Sequence, residues 1–206
     1  MSNTFFTEGP IRGRAFEGQP VLRYVDMADN IYRSFIPRQL TEMEGLKFLY
    51  MDNVLFDGVG QTLDFLVGMP QLVEAWMDFT FFQGSIPTGV GELRTLQSLS
   101  LTFCGLTGPI PSELGNLERL DRLWLYQNSL EGTIPRELGN LERMRFMFFE
   151  GNRLDGSMPP EICVNRAPFG ILAELGADCS NSGTFTSVDC SCCTCCGGIA
   201  CNDFAV

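Results

Sequence analysis

A chain of 206 residues is long enough for one domain with a continuous core, and 45% hydrophobic against 19% charged residues excludes a disordered polymer. Its 25 acids against 14 bases give a formal charge of −11, which disfavours nucleic acid and anionic membrane surfaces as partners. There is no histidine, so the commonest general base and zinc ligand is missing, and no apolar run approaches the roughly 20 residues of a membrane-spanning helix.

The opening residues, Met1 to Glu8, lack the basic start and apolar stretch of a secretory leader. Nine cysteines, seven of them after Cys163, nevertheless fit an oxidising compartment. We therefore expect an extracellular or cell-surface location, for a chain whose natural beginning lies upstream or whose start was misassigned. Residues 1–20 read as an irregular segment. From residue 21 a period sets in. Leu22-x-x-Val25-x-Met27-x-x-Asn30-x-Tyr32 is a degenerate first unit, and Ile36-Pro37 opens a second with apolar positions Leu40, Met43, Leu46, Leu49, Met51 and Phe56. The third is stretched by two residues near Gly60-Gln61 and continues through Leu66, Met69, Leu72, Ala75, Met77 and Phe82. Later units start at Ile86, Ile110, Ile134 and Met158, each 24 residues apart.

The clearest unit carries Leu120-x-x-Leu123-x-Leu125-x-x-Asn128-x-Leu130 followed by Gly132-x-Ile134-Pro135. This resembles a plant-type leucine-rich repeat, as in receptor ectodomains and polygalacturonase inhibitors. One such repeat cannot bury its apolar side alone, so neighbours stack and share a core. The expected fold is an α/β solenoid, a curved right-handed superhelix with six parallel strands on its concave face over residues 21–162. The resemblance further implies a short second strand at each Gly-x-Ile-Pro segment and helical turns on the convex side. Period-two alternation puts Leu123 and Leu125 inward and Trp124 outward. Asn30, Asn128 and Asn152 fall at the turn leaving the strand, where a side-chain amide satisfies loop backbone groups. Val54, Thr80 and Cys104 stand at the equivalent positions; Val54 offers no hydrogen bond, so the ladder is expected to be weakest near residues 52–61.

The period fails after Ile162. Residues 163–206 hold Cys163, Cys179, Cys190, Cys192, Cys193, Cys195, Cys196 and Cys201, enough for four disulfides in a C-terminal cap, with Cys104 a buried free thiol. Soft-metal binding by the dense Cys190–Cys196 cluster is the alternative. The runs Leu172-x-x-Leu175-x-Ala177-Asp178-Cys179 and Val188-Asp189-Cys190-x-Cys192-Cys193-Thr194 together resemble the cap of algal, diatom-like leucine-rich repeat proteins.

Outward positions form columns across the strands. The central column is Asp26, Tyr50, Trp76, Ser100, Trp124 and Phe148. Towards the strand start run Tyr24, Phe48, Glu74, Ser98, Arg122 and Phe146; towards the strand end run Ala28, Asp52, Asp78, Thr102, Tyr126 and Glu150. Side-by-side aromatics on a sheet surface mark an interaction site, with cross-strand stabilisation as the plainer alternative. The candidate ligand-binding set is Tyr50, Trp76, Trp124, Tyr126 and Phe148 with the acidic Asp52, Asp78 and Glu150. Tyr50 to Phe148 spans four strand intervals, about 19 Å, which suits a short peptide or oligosaccharide. Asp52 and Asp78 would repel each other on adjacent strands, which a basic partner or a cation would relieve, with ordinary solvation as the plainer state. Ser/His/Asp catalysis is impossible and no phosphate-binding loop is present, so the chain reads as a non-enzymatic recognition module for a protein, peptide or glycan ligand, without cofactor. A structural or adhesion role is the alternative, and membrane contact would come only through segments outside this chain.

Overall fold

The computed structural model describes residues 22–29, 31–32, 36, 40, 42–56, 60–166, 170–178 and 188–195. Asn30, residues 1–20, Cys179, Cys196 and Cys201 lie outside them, as does the side chain of Cys195. In chain order the strands are β1 (Tyr24–Asp26), β2 (Ile31–Tyr32), β3 (Phe48–Tyr50), β4 (Leu55–Phe56), β5 (Glu74–Trp76), β6 (Ser98–Ser100) and β7 (Thr107–Gly108). They continue as β8 (Arg122–Trp124), β9 (Ser129–Thr133), β10 (Phe146–Phe148), β11 (Arg153–Asp155), β12 (Glu174–Ala177) and β13 (Thr194–Cys195). Eight of these form one sheet in the order β1-β3-β5-β6-β8-β10-β12-β13, and every pairing in it is parallel.

The sheet follows from the alternation. The middle residues Leu49, Ala75, Leu99, Leu123, Met147 and Leu175 lie in direct register across neighbouring strands, and all are buried. Leu101 and Leu125, two positions on, are buried as well. Facing them across the core is a stack of helical turns. The 3-10 turns Thr88–Glu92, Ser112–Asn116 and Arg136–Asn140 and the short helix α1 (Pro160–Val164) are preceded by Pro87, Pro111, Pro135 and Pro159, with φ between −58° and −67°. Proline's fixed φ suits a chain entering a helical turn and needs no amide donor there. Each turn packs on the next, closely enough that Gly91, Gly115 and Gly139 leave no room for a side chain. A second parallel sheet, β11-β9-β7, holds the short outer strands.

Six strands were expected on the main face and eight are present among the described residues. The extra two come from the segment beyond residue 162. Leu172, Leu175 and Ala177 restore the inward spacing and are all buried, so β12 pairs with β10 as another rung. β13 then pairs with β12. The same segment extends the outer edge, where Ser157 and Asp189 form a parallel bridge and Met158 N donates to Asp189 O at 2.9 Å. Disulfides join Cys163 to Cys192 and Cys190 to Cys193, and Cys104 is a buried free thiol. Among the described residues no helix is long and apolar enough to cross a membrane.

Candidate functional site

The turn that leaves each strand positions the outward face. Asn128 Oδ1 accepts from the backbone N–H of Cys104 (3.0 Å) and Leu106 (3.1 Å), while its Nδ2 donates to the carbonyls of Leu101 (2.7 Å), Leu125 (3.0 Å) and Tyr126 (3.3 Å). Asn152 repeats the pattern one rung on, taking Leu130 N at 3.0 Å and giving to Leu125 O at 2.9 Å and Phe149 O at 2.8 Å. Thr80 does both jobs with one hydroxyl, accepting from Val54 N at 3.1 Å and donating to Met51 O. The Cys104 thiol donates to Met77 O at 3.1 Å and to Thr102 O at 3.5 Å. Val54 is buried and has no side-chain polar atom to contribute.

On the face itself the rings touch in sequence. Tyr24 and Tyr50 have centroids 5.4 Å apart, Tyr50 and Trp76 5.4 Å, and Trp76 and Trp124 6.2 Å. Trp76 and Trp124 sit on β5 and β8, two strand intervals apart with β6 between. Their backbones are therefore about 9.6 Å apart, and the indoles reach 6.2 Å only by leaning over β6. This accounts for a departure from the outward column: Ser98 and Ser100 are buried, at 1% and 0% exposure, rather than presented to solvent. Trp76 Nε1 donates to Ser98 Oγ at 2.9 Å, whereas the buried Trp124 Nε1 meets no acceptor among the described residues.

Beside this column runs a ladder of carboxylates. Asp52 Oδ1 accepts from Asp78 N at 2.9 Å. Asp78 in turn accepts from Thr102 N at 2.6 Å and from Ser100 Oγ at 2.6 and 2.7 Å. The chain's own donors thus hydrogen-bond these carboxylates without neutralising their charge. Burial pushes the Asp52 carboxyl up to about 6; the Asp78 amide partly offsets this and the Asp78 charge adds to it. Asp78 is raised as well, by burial, against hydrogen bonds from Ser100 and Thr102. A carboxyl whose folded pKa lies above its unfolded value of 3.8 favours the fold most below that value, and the advantage is lost as pH rises through about 6. Asp52→Asn, which keeps the acceptor oxygen, should therefore flatten the fall in stability between pH 4 and 6 seen by urea unfolding. A parallel pH dependence in variant and parent would refute this. Tyr50 is driven well above its usual range, first by burial and then by its 2.6 Å hydrogen bond to Glu74 Oε2.

The predicted set is only partly brought together. Tyr50, Trp76, Trp124 and Tyr126 are half-buried with ring surface on the face. Phe148 and Glu150 are recessed, at 5% and 1% exposure, and offer a ligand almost nothing. In their place the structure supplies Phe79 and Phe103, which sequence reasoning missed. They are 58% and 44% exposed and stacked at 4.9 Å with planes 11° apart. Phe103 meets Tyr126 edge-on at 6.3 Å, and Tyr126 meets Phe148 at 6.4 Å. Both phenylalanines hold φ of 54°, as do Asp29, Asn53 and Gln127 within a few degrees at the same place in their repeats. That left-handed conformation suits Asn, Asp or Gly and strains a bulky residue. A phenylalanine at this position was the available signal.

A model of the Leucine Rich Repeat family matches residues 95–117 and 119–141. These two segments are leucine-rich repeats. The chain is similar in structure to leucine-rich repeat ectodomains of plant receptors, and spans only about a quarter of their length. One is the Arabidopsis receptor kinase HAESA, solved with the peptide hormone IDA and the co-receptor SERK1: 30% identity, TM-score 0.68, covering 73% of this chain and 25% of that one. Another is the plant peptide hormone receptor RGFR1 with RGF2, at 27% identity and TM-score 0.71, covering 91% and 28%. A third is the ectodomain of the Arabidopsis thaliana receptor kinase GASSHO1/SCHENGEN3 with Casparian strip integrity factor 2, at 24% identity and TM-score 0.75, covering 94% and 24%. A search of curated protein sequences finds no match.

Proposed function

We propose that this leucine-rich repeat chain is a non-enzymatic recognition module that binds an extended peptide along its concave aromatic face, in an extracellular, receptor- or inhibitor-like setting. The observation that carries the reading is the continuous chain of contacting rings from Tyr24 through Tyr50 and Trp76 to Trp124. Rigid aromatic rings give large contact area at small entropic cost and are enriched among binding hot spots. Phe79, Phe103 and Tyr126 widen the surface along the strand-exit side. The unpaired Trp124 Nε1 is a donor that a backbone carbonyl of the ligand would satisfy once the ring turns. Asp52, Asp78 and Glu74 beside the rings, together with the net charge of −11, favour a basic peptide, which would associate faster at low salt. The peptide complexes of HAESA and RGFR1 support a peptide over an oligosaccharide, and the disulfides support an oxidising location.

Peptide and glycan arrays screened with the purified chain, followed by titration of Trp76→Ala and Trp124→Ala, test this. Each variant should lose stability by about 1 kcal/mol if cross-strand pairing is all that is lost, while affinity for the selected peptide drops by about 2 kcal/mol or more, roughly thirtyfold. Glycan hits alone would replace the peptide reading. Unchanged affinity in both variants would make the rings a sheet-stabilising device and move the binding face elsewhere.

A further inference from the structure

Four cysteine sulfurs meet in the cap. Cys163 comes from α1, and Cys190, Cys192 and Cys193 from the segment leading into β13. The two disulfides they form are in contact with each other. Cys190 Sγ lies 3.7 Å from Cys192 Sγ across them, and the sulfurs of Cys163, Cys190 and Cys192 all fall within 4.8 Å of one another. A tetrahedral tetrathiolate zinc centre has Zn–S bonds of about 2.3 Å and therefore S···S edges of about 3.8 Å. One edge of that tetrahedron is in place with both bridges closed. Opening a bridge asks its two sulfurs to separate by about 2 Å, which rotation about χ1 supplies.

Cys190-x-x-Cys193 has the two-residue spacing common among zinc ligands. Arg166 Nη1 donates to the Cys192 carbonyl at 2.7 Å, which sets a guanidinium beside a centre that would carry two negative charges. None of the four cysteines is fully buried, so reductant and metal can reach them.

We infer that the cap is a two-state sulfur site: two disulfides under oxidising conditions, and one zinc ion held by Cys163, Cys190, Cys192 and Cys193 once reduced. Each disulfide takes two electrons and two protons: both come from a dithiol that becomes a disulfide, or the electrons come from a phosphine and the protons from water, whose oxygen ends in the phosphine oxide. The four thiols then bind Zn2+ and release four protons. Either state ties α1 to the segment before β13, so the solenoid end stays closed when the redox environment changes.

The test reduces the full chain with a trialkylphosphine and titrates it with Co2+ and then Zn2+. One equivalent of cobalt should bind with the visible absorption of a tetrahedral tetrathiolate and be displaced by zinc, and zinc should restore the melting temperature lost on reduction. Cys163→Ser and Cys193→Ser should each abolish the one-to-one tetrathiolate spectrum. A chain with Cys179, Cys195, Cys196 and Cys201 all changed to Ser should keep it. Far-UV circular dichroism confirms that each variant retains the solenoid. Failure of the reduced parent to bind cobalt, survival of the spectrum in Cys163→Ser, or its loss in the folded fourfold variant would overturn the inference.

Discussion

Gly115→Ala is expected to destabilise the chain by roughly 3 kcal/mol, at the upper end of what overpacking usually costs. Gly115 closes the turn Ser112–Asn116, and a methyl group there would overlap the backbone carbonyl of Glu137 in the next turn. Backbone cannot rotate away as a side-chain tip can. The neighbouring rung must shift bodily, and in a repeat array that weakens coupling on both sides of the insult. Gly132→Ala is the control, because Gly132 has φ of +80° but no atom within 4 Å of the added carbon. It should cost about 1–2 kcal/mol, for the left-handed backbone alone. Urea unfolding of the two variants separates steric from conformational cost. A Gly115→Ala loss no larger than that of Gly132→Ala would show that the helical turns are not in rigid contact.

Asn128→Leu should cost about 4 kcal/mol, by a different route. Leucine matches the amide in size but strands the N–H groups of Cys104 and Leu106 and the carbonyl of Leu101. A buried polar group left unsatisfied costs about 1–3 kcal/mol. Threonine is the informative rescue, because Thr80 at the equivalent position accepts one N–H and donates to one carbonyl. Asn128→Thr should recover roughly half of the loss. Equal stability of the leucine and threonine variants would mean that the loop backbone finds water instead.

The repeat was legible because its cause is local. The Leu120, Leu123 and Leu125 spacing can face one core in only one way, and those residues are fully buried. The rung at β12 could have been read from Leu172, Leu175 and Ala177, which carry the same inward spacing, but the cysteines around it invite a reading as an irregular cap. β13 has no such signal, since a two-residue strand carries no period. The site was less legible. The burial of Ser100 depends on two indoles leaning across a strand, and an outward position in sequence says nothing about its neighbours' reach. The recession of Glu150 depends on β12, whose Gly176 lies close to the Glu150 carboxylate. Phe79 and Phe103 were passed over because a left-handed turn residue is an anomaly only when the same position in several repeats is compared.

The pair of leaning indoles has an optical consequence. The chain contains only two tryptophans, and their ring centroids lie 6.2 Å apart in the middle of the aromatic face. At that separation the transition dipoles of the two indoles couple, giving a split circular dichroism signal that changes when either ring is moved. Tyr50, one ring away, transfers excitation to Trp76. The protein's intrinsic emission and its near-ultraviolet dichroism therefore report almost wholly on the face proposed to hold the ligand, and occupancy can be followed without attaching a dye.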